Sequence, residues 1–150
     1  MRVVLQRVKK AKVNVYPDYE SEINQGLLIF LGIEDEDSQQ DLEWLVRKIS
    51  QMRLFSDADG KMNLSLIDTG FQALVISQFT LHASTKKGNR PSFIKAAKPD
   101  FAKPMYENFI SALSIALNQD IKSGIFGGNM QVELINDGPV TIFIDSKDKY

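Results

Sequence analysis

The tetrapeptide Asn136-Asp137-Gly138-Pro139 is the feature that most constrains the fold, because it divides two runs of alternating apolar and polar residues, Met130–Ile135 and Val140–Asp145. Asn-Asp-Gly suits a tight turn, so the two runs are predicted to form a β-hairpin. Pro139 has no backbone N–H, which restricts the strand that it begins to a sheet edge or a bulge. The chain is therefore expected to close on a hairpin with an edge strand.

Further strand patterns occupy the first part of the chain. Residues 2–8 and 12–16 are predicted to form a strand pair or one bent strand, and GLLIFLGI (26–33) is typical of a buried strand. A helix should follow, capped by Ser38 or Asp37. Its apolar residues share one face at helical spacing: Leu42, Leu45, Val46, Ile49 and Met52.

The middle of the chain contains a third strand pattern and a second helix. ALVISQFTLHA (73–83) is predicted to be a strand throughout, and the segment 84–98 is predicted to be a loop. The second helix is expected from about Pro104 to Asn118, because proline is well tolerated in a first turn. Its apolar face would contain Met105, Phe109, Leu113 and Leu117.

This order of elements predicts the fold class. We expect an α/β protein with a mixed, partly antiparallel sheet or open β-barrel and two helices packed on it. Residues 1–150 should form a single domain, since 150 residues with 43% hydrophobic residues suit one core. Neither glycine-rich nucleotide-binding motif is present, which makes a doubly wound fold a weaker alternative.

The composition excludes several kinds of site. The absence of cysteine excludes disulfides and zinc–thiolate sites, and a single histidine excludes a histidine metal cluster. We therefore expect no metal. The chain shows no signal-peptide pattern, and its longest apolar run is too short to span a bilayer. A cytoplasmic protein without a membrane association is the prediction.

Charge is unevenly distributed although the net charge is only −1. Residues 33–44 hold six acidic residues and no base, whereas residues 86–103 hold six bases and one acid. The basic segment could bind phosphates over a limited area, or it could be a solvated loop. Both interpretations stay open on charge alone.

The candidate catalytic set is Gln78, Thr80 and His82, which would share one face of the predicted strand. Thr80 would be a nucleophile, with His82 as its base. Residues two apart in a strand have Cα atoms roughly 6.5 Å apart, which is too far for an unaided Thr–His hydrogen bond. Residue spacing thus indicates no complete set of catalytic side chains.

Seven segments together resemble the D-aminoacyl-tRNA deacylase family over nearly the whole chain. They are VLQRV (4–8), GLLIFLGI (26–33), GKMNLSL (60–66), SQFTL (77–81), KGNRPSF (87–93), MQVEL (130–134) and NDGPVT (136–141). The resemblance implies a homodimer, without a cofactor, that hydrolyses the ester between a D-amino acid, or glycine carried by alanine tRNA, and the terminal ribose of tRNA.

The same resemblance implies the basis of selectivity. Gly138-Pro139 would form a cis peptide that enters the pocket of the partner subunit and rejects L-amino acids with its backbone carbonyls. A cis X-Pro bond costs only about 0.5–1 kcal/mol, so proline is suited to this geometry. The vicinal hydroxyl of the ribose would assist the reaction, and the enzyme would mainly position the ester and stabilise the oxyanion.

Site residues follow from the resemblance by motif position. The backbone of Phe79 and Thr80 would be catalytic, with Thr80 as nucleophile in a minority mechanism. Arg7 would support the Gly-Pro loop. The substrate-binding residues would be Ser77, Gln78, Phe126, Met130, Gly138 and Pro139. The residues expected to contact tRNA phosphates are Lys86, Lys87 and Arg90. Two residues depart from the family pattern, Asn129 and His82.

Three alternative functions remain. A related enzyme with a trans Gly-Pro peptide would accept small L-amino acids. An RNA-binding dimer without activity would use the loop 84–98. A general Thr–His esterase would hydrolyse simple esters that contain no RNA.

Overall fold

In the computed structural model, which describes residues 1–149, the long strand β1 (Arg2–Val15) is central to a six-stranded sheet. Along one edge it pairs antiparallel with β3 (Gly26–Gly32) and then with β2 (Tyr19–Ile23). Along the other edge it pairs antiparallel with β8 (Met130–Asp145). The alternative of one bent strand at the start of the chain is thus the correct one.

The sheet continues with parallel strands. β3 pairs with β6 (Gln72–Ser77), and β6 pairs with β7 (Lys122–Ser123). The Tyr19 hydroxyl donates a hydrogen bond of 2.8 Å to the Ser123 carbonyl, which links β2 to β7. The sheet therefore curves into a nearly closed barrel, and the predicted mixed, partly antiparallel sheet is confirmed. A separate small ladder joins β4 (Phe55–Ser56) to β5 (Met62–Leu64).

Three helices accompany the sheet, one more than predicted. α1 (Gln39–Gln51) begins after Ser38, whose side chain forms a capping box with Asp41. α2 (Leu66–Thr69) is a single turn that the apolar pattern did not indicate. α3 (Pro99–Leu117) begins five residues before the predicted start, with Pro99 in its first turn and Pro104 inside the helix. The prediction of Pro104 as the helix start was wrong, because Pro99 already supplies that first-turn proline.

The core lies on both faces of the parallel strands. One cluster packs α1 and α3 against the sheet and includes Leu27, Ile29 and Val75. The other lies on the opposite face, where the sheet curves over itself, and includes Leu28 and Leu74. Burial on two faces explains why β3 and β6 are continuously apolar. No helix in residues 1–149 is long and apolar enough to cross a membrane.

The predicted closing hairpin was wrong. β8 is one continuous strand, because β1 is long enough to pair with both of its halves. Gln6 pairs with Thr141 and Val8 pairs with Asn136, so residues 137–140 of β8 face only Arg7 of β1. The Asn-Asp-Gly-Pro segment therefore forms a large bulge in β8. A bulge, like a sheet edge, is a position in a sheet that accepts proline.

The prediction of a strand over residues 73–83 was also wrong for the second half of that segment. β6 ends at Ser77, and Phe79–His82 forms a turn of 3-10 helix. The apolar residues of β6 are buried, whereas the Phe79 side chain is 54% exposed and His82 is 1% exposed. The alternation that would have aligned Gln78, Thr80 and His82 on one face does not exist.

Candidate active site

A pocket of about 630 Å³ lies where β3 and β6 end. Its walls come from four parts of the chain: the end of β3, the turn after β6, the segment before and within α3, and the segment that enters β8. Its lining residues are Leu31, Ile33, Ile76, Ser77, Gln78, Phe79, Phe93, Ala96, Ala97, Lys98, Pro99, Ala102, Phe126, Gly127, Gly128, Met130 and Val132. A pocket of this size and largely apolar lining suits a small organic group.

Five of the residues expected at the site lie together in this pocket. They are Ser77, Gln78, Phe79, Phe126 and Met130. Thr80 lies next to them, in the 3-10 helix that begins at Phe79.

The 3-10 helix presents backbone N–H groups at its start. The Gln78 N–H donates to the Leu31 carbonyl at 2.7 Å, which fixes the turn to β3. Within residues 1–149, the N–H groups of Phe79 and Thr80 form no hydrogen bond, because the first residues of a helix have no acceptor in the preceding turn. These two donors are available to an oxygen atom placed beside the helix.

The Thr80 hydroxyl is engaged by an amide and not by a base. Its oxygen accepts a hydrogen bond from the Gln78 Nε2. No hydrogen bond joins Thr80 to His82 among the described residues. The geometry therefore contains no Thr–His dyad.

His82 is buried behind the turn. Its Nδ1 lies 3.9 Å from the Glu34 carboxylate, and neither ring nitrogen forms a hydrogen bond within residues 1–149. Burial lowers the pKa of His82 from its ordinary value of 6.5, against smaller opposing effects of the Gly32 backbone and of Glu34. His82 is thus a neutral residue near pH 7 that packs behind the pocket and does not line it.

Aromatic side chains shape two sides of the pocket. The rings of Phe79 and Phe93 meet edge to face at 5.1 Å between centroids. Phe126 packs on Tyr106, whose hydroxyl donates to the Val75 carbonyl at 2.9 Å. Burial raises the pKa of Tyr106, so that hydroxyl keeps its proton as a structural donor.

The expected Gly-Pro motif lies outside the pocket of its own chain. Gly138 and Pro139 are exposed on the β8 bulge, and their peptide bond is cis, as is that of Tyr16–Pro17. Arg7 faces the bulge and donates from Nε to the Asp137 carbonyl at 3.1 Å and from Nη1 to the Leu54 carbonyl at 2.6 Å. Its Nε also lies 3.0 Å from the Asp137 carboxylate.

The residues expected to contact tRNA lie in a closed loop. Ser84 and Ser92 exchange backbone hydrogen bonds of 2.8 and 2.9 Å, and this bridge closes the loop that carries Lys86, Lys87 and Arg90. All three side chains are exposed and do not line the pocket. The same segment continues to Phe93, so the basic loop and the pocket wall are one piece of chain.

The wall from Phe93 to Pro99 was missed as part of the site. Residues 93–98 were treated as the end of a basic loop. A signal existed, because loops longer than about 12 residues inside a compact domain are usually functional. The backbone explains the placement: the Ala97 N–H donates to the Ile33 carbonyl at 3.0 Å, and Ala96 bridges to Glu34.

Known proteins resemble the chain over its full length. The family model described as D-Tyr-tRNA(Tyr) deacylase matches residues 4–145. D-aminoacyl-tRNA deacylases of Flavobacterium johnsoniae and Christiangramia forsetii are 56% and 58% identical over 149 residues, which is 99% of this chain and of each relative.

Two solved structures have the same fold. The c-Myc DNA Unwinding Element Binding Protein superposes with a TM-score of 0.90 at 41% identity, covering 97% of this chain and 98% of that one. A probable eukaryotic D-amino acid tRNA deacylase superposes with a TM-score of 0.83 at 19% identity, covering 95% and 97%. The second likeness concerns the fold alone.

Proposed function

The chain belongs to the D-Tyr-tRNA(Tyr) deacylase family and is an enzyme that hydrolyses the ester bond of D-aminoacyl-tRNA, and we propose that the pocket beside Phe79 is where the ester is cleaved. The free Phe79 and Thr80 N–H groups at the pocket edge are the observation that carries this proposal. The products are a free D-amino acid and tRNA.

The two N–H groups act as oxyanion donors. Attack of water on the ester carbonyl places negative charge on the carbonyl oxygen, and fixed backbone donors stabilise that charge without reorganising. Collapse of this intermediate breaks the bond to the ribose oxygen, which leaves with a proton as the free hydroxyl of the tRNA. In the part of the chain that the structure describes, the pocket lining contains no carboxylate, histidine or cysteine that could serve as a base. The reaction therefore relies on positioning, with the vicinal hydroxyl of the terminal ribose assisting the deacylation.

Selectivity for the D-configuration comes from a second protomer. Gly138 and Pro139 are exposed and lie outside the pocket of their own chain, so they are free to enter the pocket of a partner. Among the strands of the described residues, β8 pairs only with β1, and it carries exposed Ile135 and Phe143, which suits a dimer interface. Backbone carbonyls at that position receive the substrate ammonium and exclude an L-side chain, whereas glycine passes.

Two further groups support this arrangement. Arg7 holds the bulge through the carbonyls of Asp137 and Leu54, so the Gly138-Pro139 backbone keeps its position relative to the sheet. Lys86, Lys87 and Arg90 are exposed and contact phosphates of the tRNA outside the pocket.

The test is deacylation of matched substrates by the purified protein. The protein is incubated with three substrates: D-tyrosyl-tRNA, L-tyrosyl-tRNA and alanine tRNA charged with glycine. The remaining charged tRNA is resolved on acid gels. We expect rapid loss of the D-tyrosyl and glycyl esters and persistence of the L-tyrosyl ester. Equal loss of the D- and L-esters would contradict the selectivity, and no loss of any ester would contradict the catalytic proposal.

A second candidate function is nucleic-acid binding without turnover. It is favoured by the exposed basic loop and by the similarity to a protein described as binding a DNA unwinding element. In this case the protein would retard charged tRNA or single-stranded DNA in a gel while the ester remains intact. A deacylation assay and a binding assay on the same samples distinguish the two functions, because only the enzyme would cleave the ester of the tRNA that it binds.

A further inference from the structure

Among residues 1–149, Lys98 is the only charged residue that lines the pocket. The other lining residues are apolar except Ser77 and Gln78. Lys98 is exposed and forms no ion pair with any residue in 1–149. A single uncompensated positive charge at an otherwise uncharged pocket suits a ligand with one negative group near the pocket entrance.

The backbone of Lys98 is fixed at that point. Its carbonyl accepts hydrogen bonds from Phe101 at 3.1 Å and from Ala102 at 2.9 Å, while the preceding Ala97 N–H donates to the Ile33 carbonyl, one residue after β3. The ammonium group is therefore attached to a rigid part of the pocket wall. This distinguishes Lys98 from Lys86 and Lys87, which lie farther out on the loop.

Lysine is also a poor residue for this position in the helix. Lys98 is the N-cap of α3 and makes no side-chain capping bond, whereas α1 and α2 are both capped by serine in complete capping boxes. Serine, threonine, aspartate and asparagine are preferred there, and a positive charge at a helix N-terminus is unfavourable. A residue that opposes local stability is typical of a functional position.

We propose that Lys98 binds the phosphate that joins the terminal nucleotide of the substrate RNA to the nucleotide before it. This inference rests on the proposed function. The terminal nucleoside that carries the ester must occupy the pocket, and its own 5′ phosphate is the first anion along the RNA.

The test compares two substrates that differ in this phosphate. D-tyrosyl-tRNA contains it, whereas 3′-O-D-tyrosyl-adenosine contains the ester without any phosphate. Lys98→Gln should lower kcat/KM for the tRNA about three- to tenfold, with kcat at saturation unchanged and a salt slope smaller by about 0.7. Its kcat/KM for the tyrosyl-adenosine should equal that of the wild type.

Lys103→Gln is the matched control, since Lys103 is exposed on α3 and does not line the pocket. It should leave both substrates within about twofold of the wild type. Lys98→Ser should lose the same contact while raising the Tm by about 2–4 °C, because serine caps α3. This gain shows that any loss of tRNA hydrolysis does not arise from unfolding.

Several outcomes would overturn the assignment. Unchanged tRNA hydrolysis by Lys98→Gln, in a wild type that is active, would remove Lys98 from substrate binding. An equal loss on tyrosyl-adenosine would assign Lys98 to the reacting ester instead of the phosphate. A wild type that hydrolyses neither substrate would overturn the proposed function itself.

Discussion

Thr80 is the side chain that the sequence suggests as a nucleophile, and its environment in the turn after β6 argues against that role. Its oxygen accepts a hydrogen bond from the Gln78 amide, and the single histidine of the chain, His82, is buried. A hydroxyl needs a base to be activated as a nucleophile. At the scale of the residue, the proposed catalysis therefore relies on the backbone of the turn and not on the Thr80 hydroxyl.

Thr80→Val tests this assignment. We expect kcat for D-tyrosyl-tRNA to fall less than about tenfold, because valine keeps the shape and the N–H of Thr80 and removes only the hydroxyl. Removal of a covalent nucleophile costs roughly 10⁴-fold or more. Single-turnover deacylation measures the step directly, and a loss of that larger size in a folded variant would make Thr80 the nucleophile.

Arg7 and the β8 bulge form the element that determines where Gly138-Pro139 lies. Four residues of β8 face one residue of β1 here, and the Arg7 guanidinium binds carbonyls from two separate segments. Loss of those bonds leaves the carbonyls of Asp137 and Leu54 without their charged partner. The bulge is thus coupled to the β4 region through a single side chain.

Arg7→Gln should lower the free energy of unfolding by about 1.5–3 kcal/mol, since hydrogen bonds to charged groups contribute that much. It should also lower kcat/KM for D-tyrosyl-tRNA, because the bulge loses its support. Asp137→Asn is the control: it removes only the carboxylate charge of a partly exposed pair, so it should cost less than about 1 kcal/mol. Urea unfolding compares the variants, and equal costs would mean that the ion pair, not the carbonyl contacts, holds the bulge.

Elements with local signals could be predicted from the sequence, and those set by distant partners could not. α1 was predictable because Ser38, Asp41 and the spacing from Leu42 to Ile49 all agree. The bulge at Gly138 was not, because its turn chemistry is the same as that of a hairpin until β1 is known to pair on both sides of it. Ser77, Phe79 and Met130 were predicted by motif and lie in one pocket, whereas the wall near Lys98 depends on contacts with β3.

At the scale of the whole molecule, the parts of the proposed site lie in two separate places. The pocket lies at the ends of β3 and β6, and the Gly-Pro bulge is exposed elsewhere on the same chain. Under the proposed function, a complete site requires a second copy, oriented so that each bulge enters the opposite pocket. Two-fold symmetry makes the two sites of such a dimer identical.

Gly138→Ala tests this division. A Cβ at Gly138 would have only the Asn136 Oδ1 within 4 Å, at 3.5 Å, so the protomer has room for the methyl group. We expect an unchanged Tm but a loss of at least about tenfold in D-tyrosyl-tRNA hydrolysis, because the methyl group would crowd the ester in the partner. A variant that keeps full activity would place the bulge outside the site.

Mixed dimers provide the control. A protomer with Gly138→Ala is paired with a protomer that carries Ala96→Trp. The tryptophan replaces a pocket-lining residue, so its indole fills the pocket of that second protomer. If the bulge acts in the partner, each mixed dimer contains one intact pocket facing one intact bulge, and activity returns. No recovery in verified mixed dimers would show that bulge and pocket act within one chain.

The pairing of β1 with β8 also determines when the sheet can be completed during synthesis. The first and last strands are separated by more than about 110 residues, yet they form the longest ladder of the fold. At about 5–20 residues per second, one edge of β1 waits roughly 6–23 s for its partner to be translated. An unpaired strand edge can pair with another chain, so the nascent protein is prone to aggregate until β8 leaves the ribosome.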